Sequence, residues 1–202
     1  HELIGEGKFK NLTMIRSFAD LKSVYGNGGH GLVLYVQKPW ALNGGIEPIQ
    51  SWYDDGLRVF QIVYGTPSQK IAPGDELGFG TGPDDPEDEK AGLTDLGRKV
   101  VAELNRLGIV VDVSHCNEQT TLDTVRLSKT PVVSSHAGCA ALVPKVRNKS
   151  DAEIRAIAQS GGIFGVTAIG WMLNEDRSKA SIDDFVTHLE HAIKIAGIDH
   201  VA

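Results

Sequence analysis

Short apolar runs alternate with amphipathic stretches along this chain, and the alternation is most regular in its second half. Ile109 to Val113 is apolar and β-branched and ends on Ser114-His115. A helical segment from about Glu118 to Leu127 follows, and Pro131-Val-Val-Ser-Ser then leads to His136. Two short buried strands joined by one helix-length crossover make a parallel βαβ unit. Thr94 to Leu107 predicts an amphipathic helix with Leu96, Val100, Val101, Leu104 and Leu107 inward, Thr94 as N-cap and Gly108 as stop. Ser150-Asp-Ala-Glu153 is a capping box opening a helix to about Gln159. Ile163 to Ile169 predicts a strand. Ser181-Ile-Asp-Asp184 opens the last helix, with Phe185, Leu189, Ile193 and Ile195 mostly on one face.

The first half follows the same rule less cleanly. Ser17 to Tyr25 predicts a helix with Phe18, Leu21, Val24 and Tyr25 on one face, closed by Gly26 and the run GNGGHG, which leaves His30 in a turn. Leu32 to Val36 reads as a buried strand ending at Gln37. Ile46 to Asp55 reads as a helix, and Leu57 to Val63 as a strand delivering Tyr64. From Gly65 to Ala91 the chain is rich in Gly, Pro, Asp and Glu. A stretch that long inside a domain is usually functional or disordered, so a lid or substrate wall is expected there.

That makes about five βα repeats, with His200-Val201-Ala202 starting a further strand. The fold class is α/β. A (β/α)8 TIM-type barrel in one domain over residues 1–202, incomplete at both ends, is the expected architecture, and an open doubly wound sheet is the alternative. Neither a GxGxxG after a strand nor a P-loop is present, which argues against nucleotide-binding versions of the sheet.

Composition changes this picture little. The 202 residues are 41% hydrophobic and 23% charged, ordinary for a globular chain. A net charge of −6 without a basic stripe argues against nucleic acid. No apolar run is long enough to span a bilayer, and the first residues do not read as a signal peptide, so the compartment stays open.

The candidate chemistry sits at strand ends. His115 and His136 occupy equivalent places in consecutive βα units, where adjacent parallel strands put their carboxyl ends side by side. Two imidazoles so placed make the start of a zinc site. The competing reading is a pair of polar residues hydrogen-bonded at strand termini without chemistry. Cys116 and Cys139 fit neither a CxxC motif nor a disulfide framework and read as buried thiols near the site, with zinc ligation as the alternative.

Three stretches carry a family resemblance: GLTDLGRKVVAELNRLGIVVDVSH, TPVVSSHAG and VRNKSDAEIRAIAQSGGIFGV. They resemble the renal (membrane) dipeptidase family of metal-dependent amidohydrolases on (β/α)8 barrels, and the resemblance runs from about Leu12 to Ala202. It implies hydrolysis of dipeptides at a two-zinc centre, with tolerance for D-residues at the C-terminal position. His115 and His136 match the histidines that hold the second zinc, and Arg147 matches the arginine that binds the substrate carboxylate. A surface arginine near a loop is the alternative for Arg147. The family's bridging glutamate falls at Gln37, a doubtful metal ligand because an amide carbonyl cannot supply the negative charge between two cations. A histidine that steadies the substrate or transition state falls at Tyr64, a candidate catalytic and substrate-binding residue. A branch of the family carries Gln and Tyr at these two positions. The family's first-strand His-x-Asp and its late aspartate would fall before His1 and beyond Ala202.

The resemblance thus implies a zinc-dependent dipeptidase with a small dipeptide substrate, one or two zinc ions, and a homodimer as an open alternative. Two other readings remain: a metal-poor, non-catalytic relative binding small peptides, and a one-metal amidohydrolase acting on another amide. This stretch by itself, short of a closed barrel, is expected to expose sheet edges and lack activity.

Overall fold

A computed structural model describes residues 12–37, 42, 45–64 and 91–202. Its centre is a five-stranded, all-parallel sheet of β3 (Leu34–Val36), β4 (Leu57–Gln61), β5 (Val110–Asp112), β6 (Val132–Ala137) and β7 (Phe164–Val166), paired in that order. Val201 bridges to Phe164 in parallel, and Ala202 exchanges backbone hydrogen bonds with Phe164 and Val166, so the next strand begins where the sequence predicts. Each strand lies beside its predecessor. A doubly wound sheet reverses its order at a switch point; none occurs among the described strands. The arrangement is an arc of barrel type, not closed among the described residues.

Helices pack on both sheets. They are α1 (Phe18–Asn27), α2 (Pro48–Asp55), α3 (Asp95–Leu107), α4 (Glu118–Leu127), α5 (Asp151–Gln159), α6 (Gly170–Leu173) and α7 (Ile182–Ala196). The predicted end signals are in place. Thr94 caps α3 by accepting from the Gly97 amide, Gly108 stops it at φ +75°, and capping boxes open α5 at Ser150 and α7 at Ser181. Val100, Val101 and Leu104 of α3 pack with Phe60, Ile62, Val111, Val113 and Val132 in the main core. Burying a side chain of this kind contributes roughly 1.5–3 kcal/mol. A second cluster around Ile154, Phe164, Met172 and Ala192 seats α5 and α7.

The first half departs from expectation in three ways. Leu12–Met14 forms a strand, β1, pairing with β2 (His30–Leu32), so His30 lies in a strand, not a turn. The run Leu32 to Val36 therefore divides between two sheets. On α1, Phe18 is 69% and Tyr25 90% exposed, and the helix buries no residue, because a two-stranded ribbon is too narrow to cover its apolar face. Gly28 stops this helix, at φ +64°, with Gly26 inside it. Of the predicted lid, Gly65 to Ala91, residues 65–90 lie outside the described residues. Among those described, no helix is long and apolar enough to cross a membrane.

Candidate metal centre

Strand β5 ends at Asp112, so His115 stands three residues past it, whereas His136 is still within β6. The offset does not separate them. Nε2 of His115 lies 3.0 Å from Nε2 of His136, with the rings edge-on at 64°. A buried carboxylate makes this possible. Oδ1 of Asp112 accepts from the Ser114 amide at 2.8 Å, the Ser114 hydroxyl at 2.6 Å and the Ser135 amide at 3.3 Å. It thereby folds the chain leaving β5 back over the end of β6. The Cys116 amide closes the turn on the Val113 carbonyl.

Two further predicted residues arrive at the pair. Tyr64, just past β4, stacks on the His115 ring at 4.6 Å between centroids and 22° between planes. Arg147 is 8% exposed and donates through Nη1 to the Ser114 carbonyl, which sets its guanidinium beside His115. The loop that returns Arg147 to the site is stitched by Asn148. Its Oδ1 accepts from the Gly138 amide at 3.0 Å, and its Nδ2 donates to the carbonyls of Val143 and Met172 at 2.8 Å each. Gln37 lies at the end of β3, where its carbonyl accepts from Nε2 of Gln61 at 3.0 Å. That bond ties it to the strand next to its own.

Electrostatics keep the imidazoles in the form a metal needs. Burial, then the positive charge of Arg147, pushes His115 down to about 3. Burial lowers His136 too, against the opposing pull of Asp112. A neutral ring offers a lone pair, and two nitrogens 3.0 Å apart can both reach one ion at the about 2.0–2.1 Å of a Zn–N bond. The pair therefore fits a metal. It is a partial set, since no group of three or more His, Cys, Asp or Glu gathers to hold an ion among the described residues.

Cys116 and Cys139 are free and buried, and burial pushes both thiols up to about 12. The phenol of Tyr35 donates toward Oε1 of Gln61 at 2.7 Å and Oδ2 of Asp112 at 3.0 Å. Burial and the Asp112 charge hold it protonated well above the usual phenol range.

Sequence reasoning passed over several residues that build the site. Asp112 carries a legible signal, an acid inside the apolar run IVVDV. Lys149 is only 1% exposed; its ammonium donates to the Cys116 carbonyl at 2.7 Å and to Thr121 Oγ1 and Glu153 Oε1 at 2.9 Å each. Its signal is its place just before the capping box of Ser150 and Glu153, four residues from that acid. Ser135 carries a signal in the repeated Ser-His pair, since Ser114 precedes His115 in the same way.

Comparison with known proteins gives the family and the fold. The family model for membrane dipeptidases, peptidase family M19, matches residues 4–202. A protein named dipeptidase tcpJ, from Claviceps purpurea, is 39% identical over 110 residues, 54% of this chain and 26% of that protein. The crystal structure of an amidohydrolase from Pseudomonas aeruginosa superposes with a TM-score of 0.83 at 30% identity, covering 100% of this chain and 57% of that one. A metallopeptidase from Rhodobacter sphaeroides, solved with a phosphinate mimic of the dipeptide L-Ala-D-Ala, gives a TM-score of 0.83 at 29% identity over 98% and 56%. The chain thus spans little more than half the length of these solved structures.

Proposed function

The chain belongs to the membrane dipeptidase family, and on that premise we propose that it is the greater part of the catalytic barrel of a zinc-dependent dipeptidase. One observation carries the reading: the two Nε2 atoms 3.0 Å apart, with Tyr64 stacked behind them and Arg147 beside them. The Rhodobacter relative's dipeptide mimic supports a dipeptide substrate with a D-residue at its C-terminal position.

His115 and His136 would hold a zinc ion, which when bound supplies Lewis acidity and an activated water. Arg147 anchors the substrate's terminal carboxylate, since a guanidinium fork matches a carboxylate in both geometry and charge. That contact fixes where the scissile bond lies. Tyr64, its ring seated on His115, donates a hydrogen bond to the oxyanion as negative charge develops there. Gln37 offers a neutral carbonyl oxygen, so the ligand set around the histidines carries less negative charge than a carboxylate would give it.

That deficit motivates the second reading, a metal-poor relative that binds small peptides without cleaving them. Metal analysis of the full-length protein, with a panel of L,L- and L,D-dipeptides assayed in added zinc, separates the two. Zinc that is retained by the wild type and lost in His115→Ala and His136→Ala, with turnover of at least one dipeptide, supports the peptidase. Zinc retention with no dipeptide cleaved leaves a one-metal amidohydrolase on another amide. No zinc and no turnover leaves the binding protein.

A further inference from the structure

His136 presents Nε2 to the site, and which ring nitrogen carries its proton decides whether that atom can bind a cation. Counting hydrogens behind the ring answers the question. Nδ1 of His136 lies 2.7 Å from the Ser135 hydroxyl, which lies 3.1 Å from the Ser114 hydroxyl, which lies 2.6 Å from Oδ1 of Asp112. An ionised carboxylate only accepts, so the Ser114 proton is committed to Asp112. Ser114 Oγ then acts as acceptor, as it already does for the His136 amide at 3.1 Å. With the Ser135 hydroxyl donating to Ser114, each contact in the row holds one hydrogen and Ser135 Oγ accepts from Nδ1–H. Every hydrogen runs one way, toward the carboxylate.

We propose that Asp112, Ser114 and Ser135 form a positioning chain that holds His136 as its Nδ1–H tautomer and leaves Nε2 bare for a divalent cation. Asp112 and Ser114 are fully buried, so water does not compete for the bond between them, while Ser135 is exposed and links that buried pair to the ring. The Tyr35 phenol on the other carboxylate oxygen keeps Asp112 from turning away. Partners behind a metal-binding histidine fix its tautomer and ring orientation, and losing them typically weakens metal affinity by about 10–100-fold. The cation rests on the peptidase reading above; the tautomer does not.

The test uses full-length protein with 15N-labelled histidine, stripped of metal by a chelator and then titrated with zinc. Long-range proton–nitrogen correlation reads the tautomer in the metal-free state. The expected result is Nδ1–H at His136 in the wild type, a shift toward Nε2–H in Ser135→Ala, and recovery in Ser135→Thr, which restores a hydroxyl. Zinc affinity should fall about 10–100-fold in Ser135→Ala and Asp112→Asn, with Ser114→Ala as the substitute should either fail to fold. A wild-type His136 protonated on Nε2, or variants that bind zinc as tightly as the wild type, overturns the chain. Wild type that holds Nδ1–H but binds no zinc overturns the peptidase reading and upholds the tautomer.

Discussion

Lys149 donates from its ammonium to the carbonyl of Cys116 at 2.7 Å, so a residue two places after Arg147 holds the turn that carries His115. The same ammonium pairs with Glu153 on α5, and the Lys149 backbone bonds to Gly138 and Ala140 just past His136. One buried cation thus joins the segments bearing both histidines and the arginine to a helix.

Removing it should be costly. Lys149→Met leaves the Glu153 carboxylate buried without its partner, a loss of about 3–5 kcal/mol, while replacing both by apolar residues should recover much of it. Urea unfolding of Lys149→Met and of Lys149→Met/Glu153→Leu measures the difference. If the single variant is as stable as wild type, the pair is not a structural tie.

Tyr64 is assigned two jobs that substitution can separate. Tyr64→Phe keeps the stacking on His115 and removes the hydroxyl. Losing one donor to an oxyanion lowers kcat about 100- to 1000-fold, with little change in zinc affinity or KM. Tyr64→Ala removes the ring as well and should also weaken zinc binding, as a calorimetric titration would read. An unaltered kcat in Tyr64→Phe would leave the residue with packing alone.

For Arg147 the informative substrate is a dipeptide whose terminal carboxylate is blocked as an amide. Wild type should favour the free acid, with the charge-assisted contact contributing roughly a 10- to 100-fold difference in kcat/KM. Arg147→Met should abolish that preference. It should also lower stability, because Nη1 holds the Ser114 carbonyl. Steady-state kinetics on the acid and amide pair decides the matter.

Both thiols should be inert while the protein is folded. Burial pushes Cys116 and Cys139 up to about 12, so at pH 8 almost no thiolate exists to react. Ellman's reagent should label neither thiol in native protein and both after denaturation. Rapid native labelling would show that these segments open readily.

How much of this was written in the sequence depends on the range of the interaction. Periodic patterns and end signals act within a few residues, so α3, α5, α7 and their caps could be read directly, as could the two histidines. The ribbon of β1 and β2 could not, since its short strands form no apolar run of their own, whereas the equally short β5 and β7 lie inside the longer runs Ile109–Val113 and Ile163–Ile169. The apolar stripe of α1 was visible; that the ribbon beneath it covers so little was not. In the site, Arg147 entered through resemblance, and in the fold its Nη1 donates to the Ser114 carbonyl. Asp112, Ser135 and Lys149 were passed over because bonds that tie them into the site cross between distant segments, Ser135 to Asp112 over 23 residues and Lys149 to Cys116 over 33, and polar side chains in short strands look alike until the sheet aligns them.

The order of pairing in the sheet has a bearing on how such a chain matures. Each strand docks on the one translated just before it, so assembly can keep pace with the ribosome instead of waiting for a distant segment. Tyr64, His115, His136 and Arg147 emerge in that sequence, each onto a platform laid down already. The residues of the histidine cleft therefore become available in the order in which their strands pair, and the later helix Ile182–Ala196 adds the His188 ring that accepts from the Cys139 amide.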